Sequence, residues 1–422
     1  MLHFGCKVNQ YETNAMEQQF INNGYEIVKN IDVADIYVVN TCTVTNVAER
    51  KSRQMLRRVK QINPEALLVV CGCYVEVAQK ELEAIEEIDL IINSKEKKNI
   101  VAIIEQFKDG NKEHIEDNLD EFVDFGSVTY TDKNRAVIKV QDGCNMFCTY
   151  CIIPYARGRI RSRKIESVVK EVKDIASKGI KEVVITGIHI ASYGKDWKDE
   201  NIRLIDLLEE INKIDGIERI RLGSLEPTII TTEFLERLTK LEKICDHFHL
   251  SLQSGCDDTL KRMNRKYTTS GFRQIAKLLR KAYPEVSLTT DIIVGFPGET
   301  EEEFNKTYEF LKEIKFYKMH IFKYSPRRGT PAEKMDNQVD GNIKEERSRK
   351  LIELSNKNEN EKNEKYVGKN VKVLFEEFEN GHFKGHTTNY MMVNVEGEEN
   401  SNFVNQIREV EIIKNDKELL GK

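Results

Sequence analysis

The chain has 422 residues, 40% hydrophobic and 32% charged, with a formal net charge of -5. That length exceeds one ordinary core and implies two or three domains, while no apolar run approaches the roughly 18 residues of a membrane helix. The acidic balance excludes a protein that holds nucleic acid through its overall charge, so any RNA contact must come from local basic patches. The opening MLHFGCKVNQ has no long apolar core and no small-residue cleavage site, so no secretory signal is expected and a cytoplasmic location follows. There, nine cysteines stay reduced, and clustered thiols point to metal or catalysis rather than disulfides.

Residues 1–105 alternate short apolar strands with helical stretches, the pattern of a parallel sheet covered by helices. Strands are expected at 2–4, 36–39 (IYVV), 66–70 (ALLVV) and 90–92, with helices at YETNAMEQQFINNG and ERKSRQMLRRVKQ. Cys6, Cys42 and Cys73 each stand just past one of these strands. The carboxyl ends of parallel strands share one edge, where ligands bind, so three thiols remote in sequence are expected to converge. Residues 106–134, polar and acidic around EHIEDNLDEF, read as a connection between domains.

From Arg135 to residue 342 the alternation restarts, with strands at AVIKV (136–140), EVVITG (182–187), RIRLG (219–223), FHLSL (248–252), LTTDIIVG (288–295) and MHIFKYS (319–325). Amphipathic helices fall at 167–177, 202–212, 232–241, 270–282 and 300–314. Right-handed crossovers roll six such units into an open (β/α)6 partial barrel whose active face is the carboxyl ends of its strands. Residues 343–366 are highly charged, without Pro or Gly, and read as a solvated helical linker. From 367 to 422 only strands are expected, in NVKVLFEEF, HFKGHTT, YMMVNVEG and NFVNQIREVEII, separated by ENG and EGEEN turns. That pattern suggests a small antiparallel β-barrel, a shape often used to hold nucleic acid.

The segment DGCNMFCTYC (142–151) follows the first barrel strand and carries Cys144, Cys148 and Cys151. Thiolates select zinc or iron-sulfur clusters. A structural zinc site takes four ligands, whereas a cubane cluster held by three cysteines leaves one iron open to a small molecule. A zinc knuckle with its fourth ligand elsewhere is the alternative. Three incidental thiols fit less well, because free cysteines favour buried apolar sites and this stretch is polar.

The C-x3-C-x2-C spacing, with Tyr150 before the last cysteine and a barrel strand before the first, resembles the radical S-adenosylmethionine (SAM) enzymes. The resemblance implies a 4Fe-4S cluster whose open iron is chelated by the amino and carboxylate groups of SAM, and reductive cleavage of SAM to a 5'-deoxyadenosyl radical. It further implies a SAM pocket shaped by Tyr150, by Gly187 in VITGIH, where the family's usual acidic residue is missing, and by Glu226 in SLEP, Gln253 in SLQSG and Gly295 in IIVGFPGE. Strand-end glycines also serve tight turns with no ligand at all.

With FGCKVNQYET and NTCTVTN in place, the whole chain is similar to the methylthiotransferase branch of that family. The branch implies a flavodoxin-like cluster domain (1–105), a radical SAM domain (135–342) and a C-terminal TRAM domain (367–422). It also implies a second 4Fe-4S cluster on Cys6, Cys42 and Cys73, where sulfur is methylated before transfer. Cys71 is then a spare beside Cys73, and Cys245 and Cys256 match no ligand motif. GCKVNQYET, CIIPYARGRIRSR, KRMNRKYT and GHTTNYMMV resemble the MtaB-type members, which act on N6-threonylcarbamoyladenosine in tRNA. Other branches act on isopentenyladenosine in tRNA or on a ribosomal-protein aspartate, and a non-enzymatic iron-sulfur or zinc RNA-binding protein is the reading from a different class.

The MtaB-type resemblance implies the tRNA anticodon stem-loop and an electron donor protein as partners, and no membrane. Phosphate contacts are expected from Arg157, Arg159, Arg161, Arg163 and Lys164, which follow the cysteine loop without an intervening acid. The helix carrying Arg50, Lys51, Arg53, Arg57, Arg58 and Lys60 suits the same role or an ordinary solvated face. The C-terminal segment is locally acidic (FEEFEN, VEGEEN), so an anionic partner there would use the side bearing Lys384, His386 and Tyr390.

Overall fold

The computed structural model describes residues 1–28, 31–43, 46–110, 121–131, 134–399, 403–416 and 418–422. Most of the acidic stretch 113–122 lies outside the described residues. The first layer runs β1 (Leu2–His3), α1 (Lys7–Asn22), β2 (Ile36–Thr41), α2 (Asn46–Ile62), β3 (Leu67–Gly72), α3 (Cys73–Glu83), β4 (Leu90–Ile91) and α4 (Ile100–Lys108). Its four strands are parallel and lie in chain order. β2 and β3 read as continuous apolar runs because both faces are covered. Val38, Val69 and Cys71 pack with Met16, Phe20 and Ile104, while Tyr37, Val39, Leu68 and Val70 pack with Leu56, Val59 and Leu82.

The central layer runs β5 (Arg135–Asp142), α5 (Ile153–Arg157), β6 (Arg161–Ser162), α6 (Ile165–Ser177), β7 (Glu182–Gly187), α7 (Leu204–Asn212), β8 (Arg219–Leu222), α8 (Thr232–Leu238), β9 (His247–His249), α9 (Asp257–Arg262), α10 (Thr269–Ala282), β10 (Ser287–Val294), α11 (Glu301–Ile314) and β11 (Lys318–Lys323). β5-β7-β8 and β9-β10-β11 are parallel ladders, joined through single bridges at Ile220–Ile244 and Leu225–Leu250. Together they form the expected open six-stranded barrel, with β6 added antiparallel to β5. Leu288, Ile292 and Val294 of β10 face the helices and share one core with Phe272 and Leu311, so Thr289 and Asp291 face the barrel interior.

One expectation is corrected in α12 (Gly341–Glu364). This helix is not merely a solvated linker. Leu351 and Leu354 join the barrel core, Arg347 forms a buried ion pair with Glu299 at 2.7 Å, and Ser355 accepts the Met319 N–H at 2.9 Å. The heavy charge of its outer face hid a narrow apolar stripe.

The C-terminal barrel comprises β12 (Asn370–Glu379), β13 (His382–His386), β14 (Met392–Glu396), β15 (Ile407–Asp416) and β16 (Glu418–Gly421), closed in the order β12-β13-β14-β16-β15. β16 was not legible as a strand, yet it closes the cylinder by pairing with both β14 and β15. The turn from His386 to Tyr390 seats on the amino ends of the central strands. Arg219 donates to the His386 carbonyl at 2.8 Å, and Arg221, held by Glu182 at 2.8 Å, donates to the Thr388 carbonyl at 2.9 Å. Tyr390 stacks between His247 and His386, with ring centroids at 4.4 and 4.6 Å, and Arg221 lies over its face at 4.9 Å. The side expected to meet RNA through His386 and Tyr390 is therefore occupied by the central domain, which needs those rings to close the bottom of its barrel. Lys384 lies beside this turn, paired with Glu379. Tyr390→Ala is expected to cost about 2 kcal/mol from lost stacking and cation–π contact; urea unfolding and proteolytic release of the C-terminal barrel measure it. No helix among the described residues is long and apolar enough to cross a membrane.

Candidate metal centre

Cys6, Cys42 and Cys73 follow β1, β2 and β3 at one edge of the first sheet. The strand register fixes this, since His3 pairs with Asn40 and Thr41 pairs with Gly72. Gly5 has φ +98°, and a Cβ there would lie 2.5 Å from Cys42 Sγ, so only glycine lets the Cys6 loop close onto the second cysteine. Cys6 caps the start of α1 and Cys73 opens α3, placing both residues at helix N-termini. Burial pushes the Cys73 thiol up, and the nearby Cys6 adds to this, while Arg157 pulls it down. Cys71 points into the apolar core and is pushed up to about 11 by burial, as suits a spare thiol. Cys245 and Cys256 are buried as well.

Cys144, Cys148 and Cys151 occupy the loop between β5 and α5. The loop is folded on itself: the Cys151 N–H donates to the Cys148 carbonyl at 2.9 Å, the Cys144 N–H to the Gly158 carbonyl at 3.0 Å, and the Met146 N–H to Cys144 Sγ at 3.4 Å. Burial pushes Cys151 up to about 12, and the other two sulfurs add to it. Among the described residues no histidine or carboxylate joins these three thiols in a compact ligand set, which suits a cluster held by three corners rather than a closed tetrahedral site.

Beside this loop Arg265 donates to Cys148 Sγ at 3.2 Å and to Glu226 at 2.5 Å. Glu226 Oε1 and His189 Nε2 are buried and find no hydrogen-bond partner among the described residues, although His189 Nε2 lies 3.8 Å from the other Glu226 oxygen. Both line a cleft of about 470 Å³ together with Met146 of the cysteine loop. Orphaned buried polar atoms at the mouth of a three-thiol site are what a polar co-substrate such as SAM would satisfy.

The remaining expected pocket residues are less direct. Gly187 sits where a Cβ would meet the Gln141 carbonyl at 2.8 Å, a close strand approach. Gln253, at φ +71°, continues β9 and bridges to β10 through backbone bonds with Asp291 and Ile293. Gly295 turns the chain, with its N–H donated to the Glu299 carboxylate. Tyr150 packs against Met263, Phe296 and Tyr324. Arg265, in the KRMNRKYT segment, and His189, in VITGIH, carry no sequence signal of their own for this role.

The basic run is corrected. Arg157 and Arg163 are 4% and 1% exposed and face inward, because the short α5 and β6 turn them toward the first domain. Arg163 pairs with Glu171 and with Asp124. Arg157 uses all five of its N–H donors: Nε to Cys73 Sγ at 3.1 Å, and the two amino groups to Glu12 at 2.7 and 3.1 Å, Asn9 at 2.8 Å and Asp142 at 3.2 Å. Lys97 and Lys139 complete the network at 2.6 and 2.7 Å from Glu12, and Lys139 reaches Asp142 at 2.6 Å. Burial alone would raise Glu12, but Arg157, Lys139 and Lys97 hold it well below the usual carboxylate range. Arg161 adds a fourth cation, 3.9 Å from Asp142, so the cations of this network outnumber its two carboxylates. Arg157 thus ties Cys73 to Asp142, two residues before Cys144. Arg159 and Lys164 remain exposed, over the rings of Phe147 and Trp197, and Arg161 is half-buried.

An open six-stranded barrel with three cysteines after its first strand defines a radical SAM domain. The Radical SAM superfamily profile matches residues 138–311, and that of Uncharacterized protein family UPF0004 matches residues 1–93. Over 97% of this chain and 92% of its own length, the threonylcarbamoyladenosine tRNA methylthiotransferase MtaB of Bacillus subtilis is 42% identical. The MtaB of Aquifex aeolicus is 43% identical over 88% of this chain and 90% of its own. The tRNA-2-methylthio-N(6)-dimethylallyladenosine synthase of Clostridium tetani is 36% identical over 97% and 92%. The solved radical SAM methyltransferase TsrM of Kitasatospora setae superposes with a TM-score of 0.58 at 15% identity, covering 79% of this chain and 76% of its own, a likeness of fold. The chain belongs to the MtaB family of radical SAM tRNA methylthiotransferases.

Proposed function

We propose that this protein replaces the hydrogen on carbon 2 of N6-threonylcarbamoyladenosine, beside the tRNA anticodon, with a methylthio group, using SAM and two 4Fe-4S clusters. The observation that carries the reading is the junction in which Arg157 joins Cys73 to Asp142, where the loop of Cys144, Cys148 and Cys151 begins. Cys144, Cys148 and Cys151 would hold a cluster that supplies the electron for SAM cleavage, and Cys6, Cys42 and Cys73 would hold one that carries the sulfur. The chain's own residues divide the remaining work. Arg265 orients Cys148 Sγ and fixes Glu226; Glu226 and His189 offer polar atoms to SAM in the cleft; Arg157 orients Cys73 and excludes water from the junction.

Supporting the tRNA substrate, Arg50, Lys51, Arg57 and Arg58 are exposed on α2, the helix that follows Cys42, and Arg159 is exposed beside the other trio. A stem-loop laid across these cations would present an unstacked base to the junction. Two relatives named for the threonylcarbamoyl nucleoside are 42 and 43% identical and a third is 37%, against 35–38% for the dimethylallyl synthases, and the two highest values favour the former. A cytoplasmic location and a separate electron donor complete the proposal.

The test is nucleoside mass analysis of tRNA from a strain lacking the gene, with the gene restored as control. Loss of the methylthio form of threonylcarbamoyladenosine, with isopentenyladenosine derivatives unchanged, is expected. The opposite pattern would transfer the assignment to the other branch. Glu226→Gln is expected to weaken SAM binding about tenfold, near 1.4 kcal/mol, read by equilibrium dialysis.

A further inference from the structure

Inside the open barrel, β9, β10 and β11 bring His249, Asp291 and His320 together. One nitrogen of each ring and one carboxylate oxygen all lie within 4.8 Å of one another. Phe248, Leu250, Leu288 and Ile292 face the helices, so the three side chains share the interior face by strand alternation, and Asp291 is the register partner of His320. His249 Nε2 is 3.3 Å from Asp291 Oδ2, yet it is buried and forms no hydrogen bond among the described residues. The two atoms lie side by side rather than donor to acceptor. Their separation is the edge of a tetrahedron with bonds of about 2.0 Å, the length expected for imidazole and carboxylate on zinc.

The surroundings fix the ring. His249 Nδ1 lies 3.0 Å from Thr289 Oγ1, which also lies 2.9 Å from His247 Nε2. A hydroxyl donates only once. With its proton on the His247 side, Thr289 accepts from His249 Nδ1–H, leaving the Nε2 lone pair facing a carboxylate, a contact that is repulsive unless a cation lies between. An outer nitrogen held by a hydroxyl and an inner nitrogen without a partner is how ligating histidines are oriented. Among the described residues the other such grouping, Cys256, Asp258 and Glu303, is less suited, because Arg262 grips Glu303 through both amino groups at 2.9 and 2.5 Å.

We propose that His249, Asp291 and His320 form a mononuclear site for a divalent first-row transition metal, with open coordination positions directed into the barrel interior. Two imidazoles and one carboxylate suit zinc or ferrous iron rather than magnesium or calcium. The site is independent of the tRNA assignment, since it requires only the barrel.

The test uses the full chain after anaerobic cluster reconstitution, dialysed to equilibrium against zinc chloride, with zinc and iron counted separately. The wild type is expected to hold one zinc beyond its iron, with X-ray absorption at the zinc edge showing nitrogen and oxygen neighbours only. Asp291→Asn and His320→Ala are each expected to weaken zinc binding at least tenfold with iron unchanged; His320 is exposed, so its replacement leaves the fold intact. Zinc bound equally by the wild type and both variants, zinc with sulfur neighbours, or no zinc bound overturns the proposal.

Discussion

Arg157→Met is expected to destabilise the protein by about 3–5 kcal/mol, the cost of removing one partner from a buried ionic network. The guanidinium makes every one of its N–H contacts inside the junction, and its loss strands hydrogen-bonding oxygens of Glu12, Asn9 and Asp142 together with Cys73 Sγ. Methionine matches the stem but offers none of those donors. The expected signature is a lowered thermal transition, faster proteolysis between the first and central domains, and reduced iron retention by the trio of Cys6, Cys42 and Cys73. Arg157→Lys is expected to recover little, because an ammonium cannot serve four partners from a planar fork. A variant as stable as the wild type would show that the network contributes specificity without stability.

Separate replacement of the two cysteine trios by alanine is expected to divide the chemistry. Each triple variant should lose about half of the reconstituted iron, as three-cysteine cubane sites require. The Cys144, Cys148, Cys151 variant is expected to lose SAM cleavage and product together. The Cys6, Cys42, Cys73 variant is expected to keep SAM cleavage, measured as 5'-deoxyadenosine, while methylthiolated tRNA falls below detection. The asymmetry follows from position. The cleft lined by Met146, His189 and Glu226 adjoins the loop of Cys144, Cys148 and Cys151, and its orphaned carboxylate oxygen and ring nitrogen suit the charged groups of SAM, whereas among the described residues the orphaned atoms beside Cys42 are donors only, Arg327 Nε and Nη2.

The parts of this arrangement that depend on local pattern were legible in the sequence. The apolar runs of β2 and β3 announced a doubly covered sheet, and the turn from each strand placed a cysteine at its carboxyl end. The six central strands were readable because each lies between helices with clear apolar stripes. What remained hidden depends on partners remote in sequence. Arg157 and Arg163 stand in a run of basic residues that suggests phosphate contact, and only the packing of α5 and β6 against α1 shows that they face Glu12 and Glu171. Tyr390 lies in a turn without apolar periodicity, so its insertion between two histidines leaves no trace in the pattern. β16 is four residues long and gains its strand character from barrel closure. The interior histidines were invisible for a related reason: His249 and His320 look like isolated polar residues until three parallel strands align them.

The central claim is that both trios hold iron across one cavity beside Arg157. Anomalous diffraction at the iron edge, from anaerobically grown crystals of the reconstituted protein, tests it most directly. Two iron peaks are predicted, one on Cys6, Cys42 and Cys73 and one on Cys144, Cys148 and Cys151, facing each other with Arg157 at the wall between them. A single peak, or two peaks opening onto different surfaces of the molecule, would contradict it.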